Sequence, residues 1–447
     1  MGKNVTMTQG SPLKLLFFFS LPLMFGNVFQ QLYMVVDTAI VGRGVGMEAL
    51  AALGSVDWLN WLMLGLAQGF TQGFSVRVAQ KFGEQDEESL HIFMGQSAVA
   101  AGALGLMCVA VGQLTLPLLL GFLRVPEGLY GMAQLYTRIL FAGLPVVFFF
   151  NYCAAMLRAV GDSKTPLIAM TVASVTNIVL DVVAVFVLGW GIAGAAIATL
   201  IAQCLSGVIC FVKICRTPQL KITGKSLLIH WDVLKNLLKI GAPAAGKNLL
   251  IAISGMIVTM VVNTLGTTFI AGFTASNKLY GLLEIAALSY GYAITTYVGQ
   301  NYGAMRFDRI KAGIKSATLL ALATAVVIGA LMILLGRPIT MLFISGEDPL
   351  EVQQAGQIAY RYLCVMASCL PVLYLLYLLI SVLQGLGDTV RPMISGVVEL
   401  VLRSTVAGIV AYTGYKMGIF GAEVAAWIGS ALYLWYHYRK RARRELQ

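Results

Sequence analysis

The sequence predicts an all-α membrane protein of 12 transmembrane helices, built as two six-helix bundles related by a pseudo-twofold axis along the membrane normal. Three observations predict it. Apolar runs long enough to cross a bilayer recur along the whole chain, basic residues collect in alternate loops, and four sequence blocks return in the same order 220 to 227 residues later.

The first observation rests on composition. Of the 447 residues, 58% are hydrophobic and 11% charged, against roughly 25% charged in soluble chains. A hydrocarbon core needs about 20 apolar residues per helical crossing. The first run, Leu13 to Val41, exceeds the roughly 7 to 15 residues of a signal-peptide core and ends without a small-residue cleavage site, so it reads as a retained first helix. The seven cysteines (Cys108, Cys153, Cys204, Cys210, Cys215, Cys364 and Cys369) lie in apolar segments with no CxxC spacing. They read as small packing residues, with neither a disulfide framework nor a metal site expected.

Approximate crossings fall at 13–41, 49–76, 92–120, 133–159, 165–188, 191–215, 236–264, 268–298, 314–336, 355–384, 390–412 and 418–437. A net charge of +11 could suggest nucleic acid, but the distribution argues for a bilayer. One set of loops holds Arg77, Lys81, Arg158, Lys164, the run from Lys213 to Lys239, Arg306 to Lys315, Arg391 and the tail Arg439 to Arg444. The alternate set holds only Arg43, Arg124, Arg337 and Lys416. The positive-inside rule makes the first set cytoplasmic, with both termini inside an inner membrane and no nucleic-acid partner. Trp58, Trp61, Trp190 and Trp231 read as interface anchors by position.

The repeat then organises the chain. Leu13-Lys14 with Pro22 matches Leu234-Lys235 with Pro243 at an offset of 221, and Ala79-Gln80-Lys81-Phe82-Gly83 matches Gly299-Gln300-Asn301-Tyr302-Gly303 at 220. Pro145, Gly161-Asp162 and Pro166 match Pro371, Gly387-Asp388 and Pro392 at 226, and Gly191 to Ala195 matches Gly418 to Ala422 at 227. Six crossings per half is an even number, so both halves enter the membrane from the same side and the repeat is parallel. The expected divisions are an N-lobe over 1–215, a cytoplasmic linker over 216–235 and a C-lobe over 236–447. Gly161-Asp162 and Gly387-Asp388 read as tight helix-to-helix turns, because glycine tolerates positive φ and proline restricts its predecessor. Pro22 and Pro243 read as fixed bends, with a hinge as the alternative.

Intramembrane polar groups mark function by default, since a carboxylate at the helix centre costs roughly 2.5 to 3.5 kcal/mol on insertion scales. The first helix carries Asn27, Gln30, Tyr33 and Asp37 at spacings of three, three and four, which is one helical face. The fifth carries Asn177 and Asp181 four apart, and Asn151 and Thr199 add neutral oxygens from the fourth and sixth. Two carboxylates close together in low dielectric need a shared proton or a bound Na⁺. Both ions remain open, because these oxygens suit Na⁺ while a proton needs a single carboxylate.

This set, an aspartate in the first helix, Asn-x-x-x-Asp in the fifth and a threonine 18 residues later, resembles the N-lobe cation site of the MATE (multidrug and toxic compound extrusion) family. The matching positions are Asp37, Asn177, Asp181 and Thr199, with Tyr33 and Asn151 at lining positions. The likeness spans nearly the whole chain. It implies a non-enzymatic, cofactor-free antiporter that acts as a monomer in membrane lipid. Such a protein exports small organic compounds, cationic and amphipathic, in exchange for inward H⁺ or Na⁺, with two lobes opening a central cleft to either side in turn.

The second half does not repeat the ion site. Asn177 falls opposite Arg403, Asp181 opposite Ala407, Thr199 opposite Ala426 and Asn151 opposite Tyr377. Some MATE branches carry acids in the seventh and tenth helices, where this chain has Lys247 and Tyr374 or Tyr377, so coupling is expected in the N-lobe alone. Buried charges are still expected there, at Lys247, Lys278, Glu284, Glu399 and Arg403. Glu399 and Arg403, four apart, read as a local pair. Three readings of Lys247 stay open: snorkelling to the cytoplasmic edge, pairing with Glu284, or lining the cleft. The alternative function is a lipid-linked sugar or peptidoglycan-precursor flippase of the same superfamily, which basic cleft residues would favour. An intramembrane enzyme would need a catalytic constellation. The histidines His91, His230 and His437 lie at helix ends or in loops, and no HExxH or GxSxG occurs in a crossing.

Overall fold

A computed structural model describes residues 6–123, 125–344 and 348–445; Arg124, one of the sparse basic residues of the alternate loops, lies outside them. The described residues form helices and turns only. The first six helices are α1 (Pro12–Gly44), α2 (Met47–Glu84), α3 (Glu87–Phe122), α4 (Glu127–Ala142), α5 (Leu144–Ala159) and α6 (Lys164–Val182). They are followed by α7 (Gly191–Arg216), α8 (Trp231–Val262), α9 (Thr267–Gly303), α10 (Phe307–Met341), α11 (Pro349–Gly385), α12 (Val390–Thr413) and α13 (Gly421–Glu445).

Ten of these are long and apolar enough to cross a membrane, and α4 with α5 make an eleventh, bent by 46°. The sequence predicts one uninterrupted crossing over 133–159. It is broken because Pro145 has no amide to donate to Phe141 and disfavours helical geometry at Leu144, while Gly143 supplies a joint against which the Leu200 side chain packs. The crossing expected at 268–298 is the 37-residue helix α9. It falls short of the hydropathy of the others because it is rich in Thr, Ser, Gly and Asn and carries Lys278 and Glu284.

Lipid as solvent explains the outward faces. On α3, Leu114, Leu118 and Phe122 recur every fourth residue and all are more than 70% exposed. On α6 the pattern is inside out, with Val172, Val175, Val179 and Val182 exposed and Ala169, Ala173, Asn177 and Asp181 buried at four-residue spacing. A helix in water would reverse this arrangement. Trp61, Trp190 and Trp231 are exposed, consistent with anchoring at an interface.

Packing divides the chain into two compact units. Unit 1 holds residues 6–8, 21–246 and 303–305; unit 2 holds 9–20, 247–302 and the described residues from 306 onward. Two of the divisions fall well inside helices, one residue before Pro22 in α1 and three after Pro243 in α8.

Within unit 1 the core is largely aliphatic and phenylalanine-rich, with Phe74, Met94, Leu116, Leu120, Phe141 and Phe148 fully buried. Gly69 and Gly73 of α2 meet the backbone of Gly241, Ala244 and Ala245 on α8; a Cβ on Gly73 would stand 2.6 Å from the Gly241 Cα. Small residues on both sides let two backbones touch, which replaces hydrophobic driving force by close contact. The linker is docked onto the same unit. Gln96 of α3 donates to the carbonyls of Ser226 (2.9 Å) and Leu228 (2.7 Å) and accepts from the amide of His230 (3.1 Å).

Unit 2 is held differently. Phe273, Tyr362, Phe420 and Phe269 stack in a ladder with centroids 4.8, 4.8 and 5.8 Å apart. The repeated turns nevertheless match. Gly161 and Gly387 both adopt positive φ, 91° and 84°. Asp162 accepts from the amides of Lys164 and Thr165, and Asp388 from that of Arg391, so each aspartate ties down the first turn of the next helix.

Candidate functional site

In unit 1, α1 and α6 run side by side in the same direction: Gly26 faces Met170 and Leu167, and Gly44 faces Val185 and Phe186. Glycines at both places let the helices approach along their length, and Asp37 lies between them on α1. Its carboxyl group comes within hydrogen-bonding reach of Asp181 on α6. Asp181 is fully buried and Asn177, one turn earlier, is 1% exposed. Asn177 Nδ2 donates a long bond, 3.5 Å, to Thr199 Oγ1 on α7, and Thr199 donates to the Ala195 carbonyl at 3.1 Å.

The oxygens left over define the site. Asp37 Oδ1, Asn177 Oδ1 and both carboxylate oxygens of Asp181 are buried without a hydrogen-bond donor. Such groups are rare in a native interior and call for a ligand. Four hard oxygens with two negative charges suit a proton or a small monovalent cation. Tyr33 sits in the field of Asp37 and Asp181 and within hydrogen-bonding reach of Gln30. Asn151 instead donates to the Val147 carbonyl of its own helix at 2.9 Å.

Two neighbours were passed over in the sequence. Tyr136 of α4 is buried in the field of Asp37, and less strongly of Asp57 on α2. Asp57 was legible as an acid inside the crossing drawn at 49–76. A π-helical turn, Val183–Val187, follows Asp181 directly, with Leu188 N donating to the Val183 carbonyl at 2.9 Å. Such wide turns recur at functional sites, and this one had no signal in the sequence.

In unit 2 the expected pair of Glu399 and Arg403 is present at 3.3 Å, but Arg403 also meets Glu423 of α13 at 2.7 Å and donates to Ser254 Oγ at 2.8 Å. Glu423 lies inside the crossing expected at 418–437 and is half-buried. Lys247 is 6% exposed, so it does not snorkel. No carboxylate oxygen among the described residues lies within ion-pair distance of it, and its Nζ stands 5.5 Å from the centre of the Tyr377 ring. The Tyr377 hydroxyl donates to Glu284 Oε1. Lys278, expected to be buried, is exposed.

A chain of membrane-crossing helices with an unsatisfied carboxylate pair between two of them defines a polytopic membrane transporter. The family profile described as MatE matches residues 22–183 and 243–409, and the chain belongs to that family of multidrug efflux transporters. Two Bacillus subtilis (strain 168) proteins are similar. The probable multidrug resistance protein YpnP is 27% identical over 98% of this chain and 97% of its own. The probable multidrug resistance protein YoeA is 28% identical over 75% of this chain and 74% of its own. Among solved structures, an outward-facing multidrug resistance MATE family transporter superposes with a TM-score of 0.91 at 24% identity, covering 99% of each chain. A MATE in complex with MaL6 superposes at 0.87 with 26% identity and the same coverage.

Proposed function

We propose that this chain is a secondary active antiporter that exports organic, cationic and amphipathic compounds in exchange for inward H⁺ or Na⁺, by alternating access. In this reading it works as a monomer in an inner membrane with both termini cytoplasmic, and its crossings number 12. Asp37, Asn177, Asp181 and Thr199 form the coupling site. Gln30, Tyr33, Asn151, Lys247, Glu284 and Tyr377 line the cavity.

The observation that carries the reading is the facing pair Asp37 and Asp181 with its undonated oxygens. An empty pair of like charges in low dielectric is unfavourable, and a bound proton or Na⁺ relieves it. An ion that stabilises one arrangement of α1 and α6 over another biases the conformational equilibrium by that difference in affinity. The relatives' names, multidrug resistance proteins, support the substrate class.

The test is efflux of a fluorescent organic cation from proteoliposomes under imposed Na⁺ and H⁺ gradients. One gradient should drive export, and Asp37→Asn and Asp181→Asn should abolish that dependence. Export indifferent to both gradients, with both variants active, would overturn the mechanism.

A further inference from the structure

Unit 2 contains a second set of intramembrane charges that the proposed coupling site does not use. It comprises Lys247 on α8, Glu284 on α9, Glu399 and Arg403 on α12, and Glu423 on α13. Tyr280 of α9 and Tyr362, Tyr374 and Tyr377 of α11 are titratable groups that also face it. Two cations stand against three carboxylates, so with every group ionised the cluster would carry one net negative charge.

The geometry shows which carboxylate is in excess. Arg403 is shared between Glu399 and Glu423, and its remaining donor used is to Ser254. Glu284 has the Tyr377 hydroxyl as its donor. Lys247, buried and without a carboxylate at ion-pair distance, stands over the ring of the same tyrosine, 5.5 Å from its centre. The ammonium over the ring and the carboxylate at that ring's hydroxyl share one tyrosine and form no ion pair with each other. Leaving an uncompensated charge buried costs far more than binding a proton. Na⁺ would need several free oxygens, and the Ser254 and Tyr377 hydroxyls already act in bonds to Arg403 and Glu284.

We infer that Glu284, with Tyr377 and Lys247, holds an exchangeable proton in unit 2, separate from the carboxylate pair of unit 1. This goes beyond the antiporter reading and does not depend on it, because the proton resides on the protein whether or not transport is coupled to ions.

The test is infrared spectroscopy of the full chain in lipid, following the carbonyl stretch of protonated carboxyl groups in H₂O and after transfer to D₂O. The wild type should show a component that shifts in D₂O, is lost in Glu284→Gln, and survives both in Glu284→Asp and in the double variant Asp37→Asn/Asp181→Asn. Lys247→Met, which leaves two uncompensated carboxylates, should add a component of about equal size. Should Glu284→Gln fail to fold, the Lys247→Met gain and the Glu284→Asp retention decide the matter. A component that persists in Glu284→Gln, vanishes in the unit 1 double variant, fails to exchange in D₂O or does not grow in Lys247→Met would overturn the inference.

Discussion

The two units treat buried charge in opposite ways. In unit 1, Asp37 and Asp181 face each other with no cation among their described partners, and oxygens stay undonated. In unit 2, Arg403 gathers Glu399, Glu423 and Ser254 around one guanidinium. A planar fork with five donors can hold several acceptors in fixed geometry. One arrangement leaves acceptors without a donor; the other fills them with a permanent cation. Duplicated scaffolds therefore need not duplicate their charges: Arg403 stands opposite Asn177 and Ala407 opposite Asp181, so the second half has a guanidinium where the first has an amide and a methyl where it has a carboxylate.

The sharpest way to break this comparison is to remove the permanent cation. Arg403→Met should destabilise the protein by about 3 to 5 kcal/mol, the usual cost of stranding buried partners. Adding Glu399→Gln and Glu423→Gln should recover most of that loss in a thermal-unfolding assay. If the single variant is as stable as wild type, the cluster does not hold unit 2.

The reciprocal experiment acts on unit 1. Asp181→Asn should leave stability unchanged or higher, since it relieves a charge repulsion, while the dependence of efflux on the driving gradient is lost. Equal losses of stability in Asp181→Asn and Arg403→Met would erase the distinction between an ion site and a structural cluster.

Gly73→Ala probes what unit 1 has in place of a charged knot. The added methyl meets the Gly241 backbone, and overpacking of this kind costs about 1 to 3 kcal/mol. Gly241 has no side chain to move aside, so a melting temperature equal to wild type would show that the two helices separate freely.

The smallest effects should come from the turns that the units share. Asp162→Ala and Asp388→Ala each remove a helix cap, worth about 1 kcal/mol. Asp388 also meets Arg391 and Arg441, so its loss should be the larger by a few tenths. A large effect from one and none from the other would argue that the turns are alike in sequence only.

Much of this was legible from residue order. Lipid forces every backbone group into helices, so apolar length located ten of the crossings as helices long and apolar enough to span, and Gly-Asp before proline forecast tight turns that use positive φ. The facing of Asp37 and Asp181 followed from their being the acids on the polar faces of two helices. What escaped was what depends on neighbours distant in sequence. Glu423 and Asp57 are single acids without a nearby partner in sequence, and only packing brings Glu423 to Arg403 and Asp57 toward Tyr136. The break at Gly143 escaped because hydropathy averages over a proline. The burial of Lys247 escaped because a lysine early in a crossing has the reach to leave the core, and sequence does not say whether it does.

The places where packing divides the chain have a consequence for its assembly. Residues 9–20 precede the linker yet belong to unit 2, and residues 236–246 follow it yet belong to unit 1. Cutting the polypeptide within the linker would yield two fragments, each holding a segment that the other's fold requires. Neither is then a finished module. Expressed apart, both should be unstable; expressed together, they should complement one another as a split protein whose pieces are exchanged at birth.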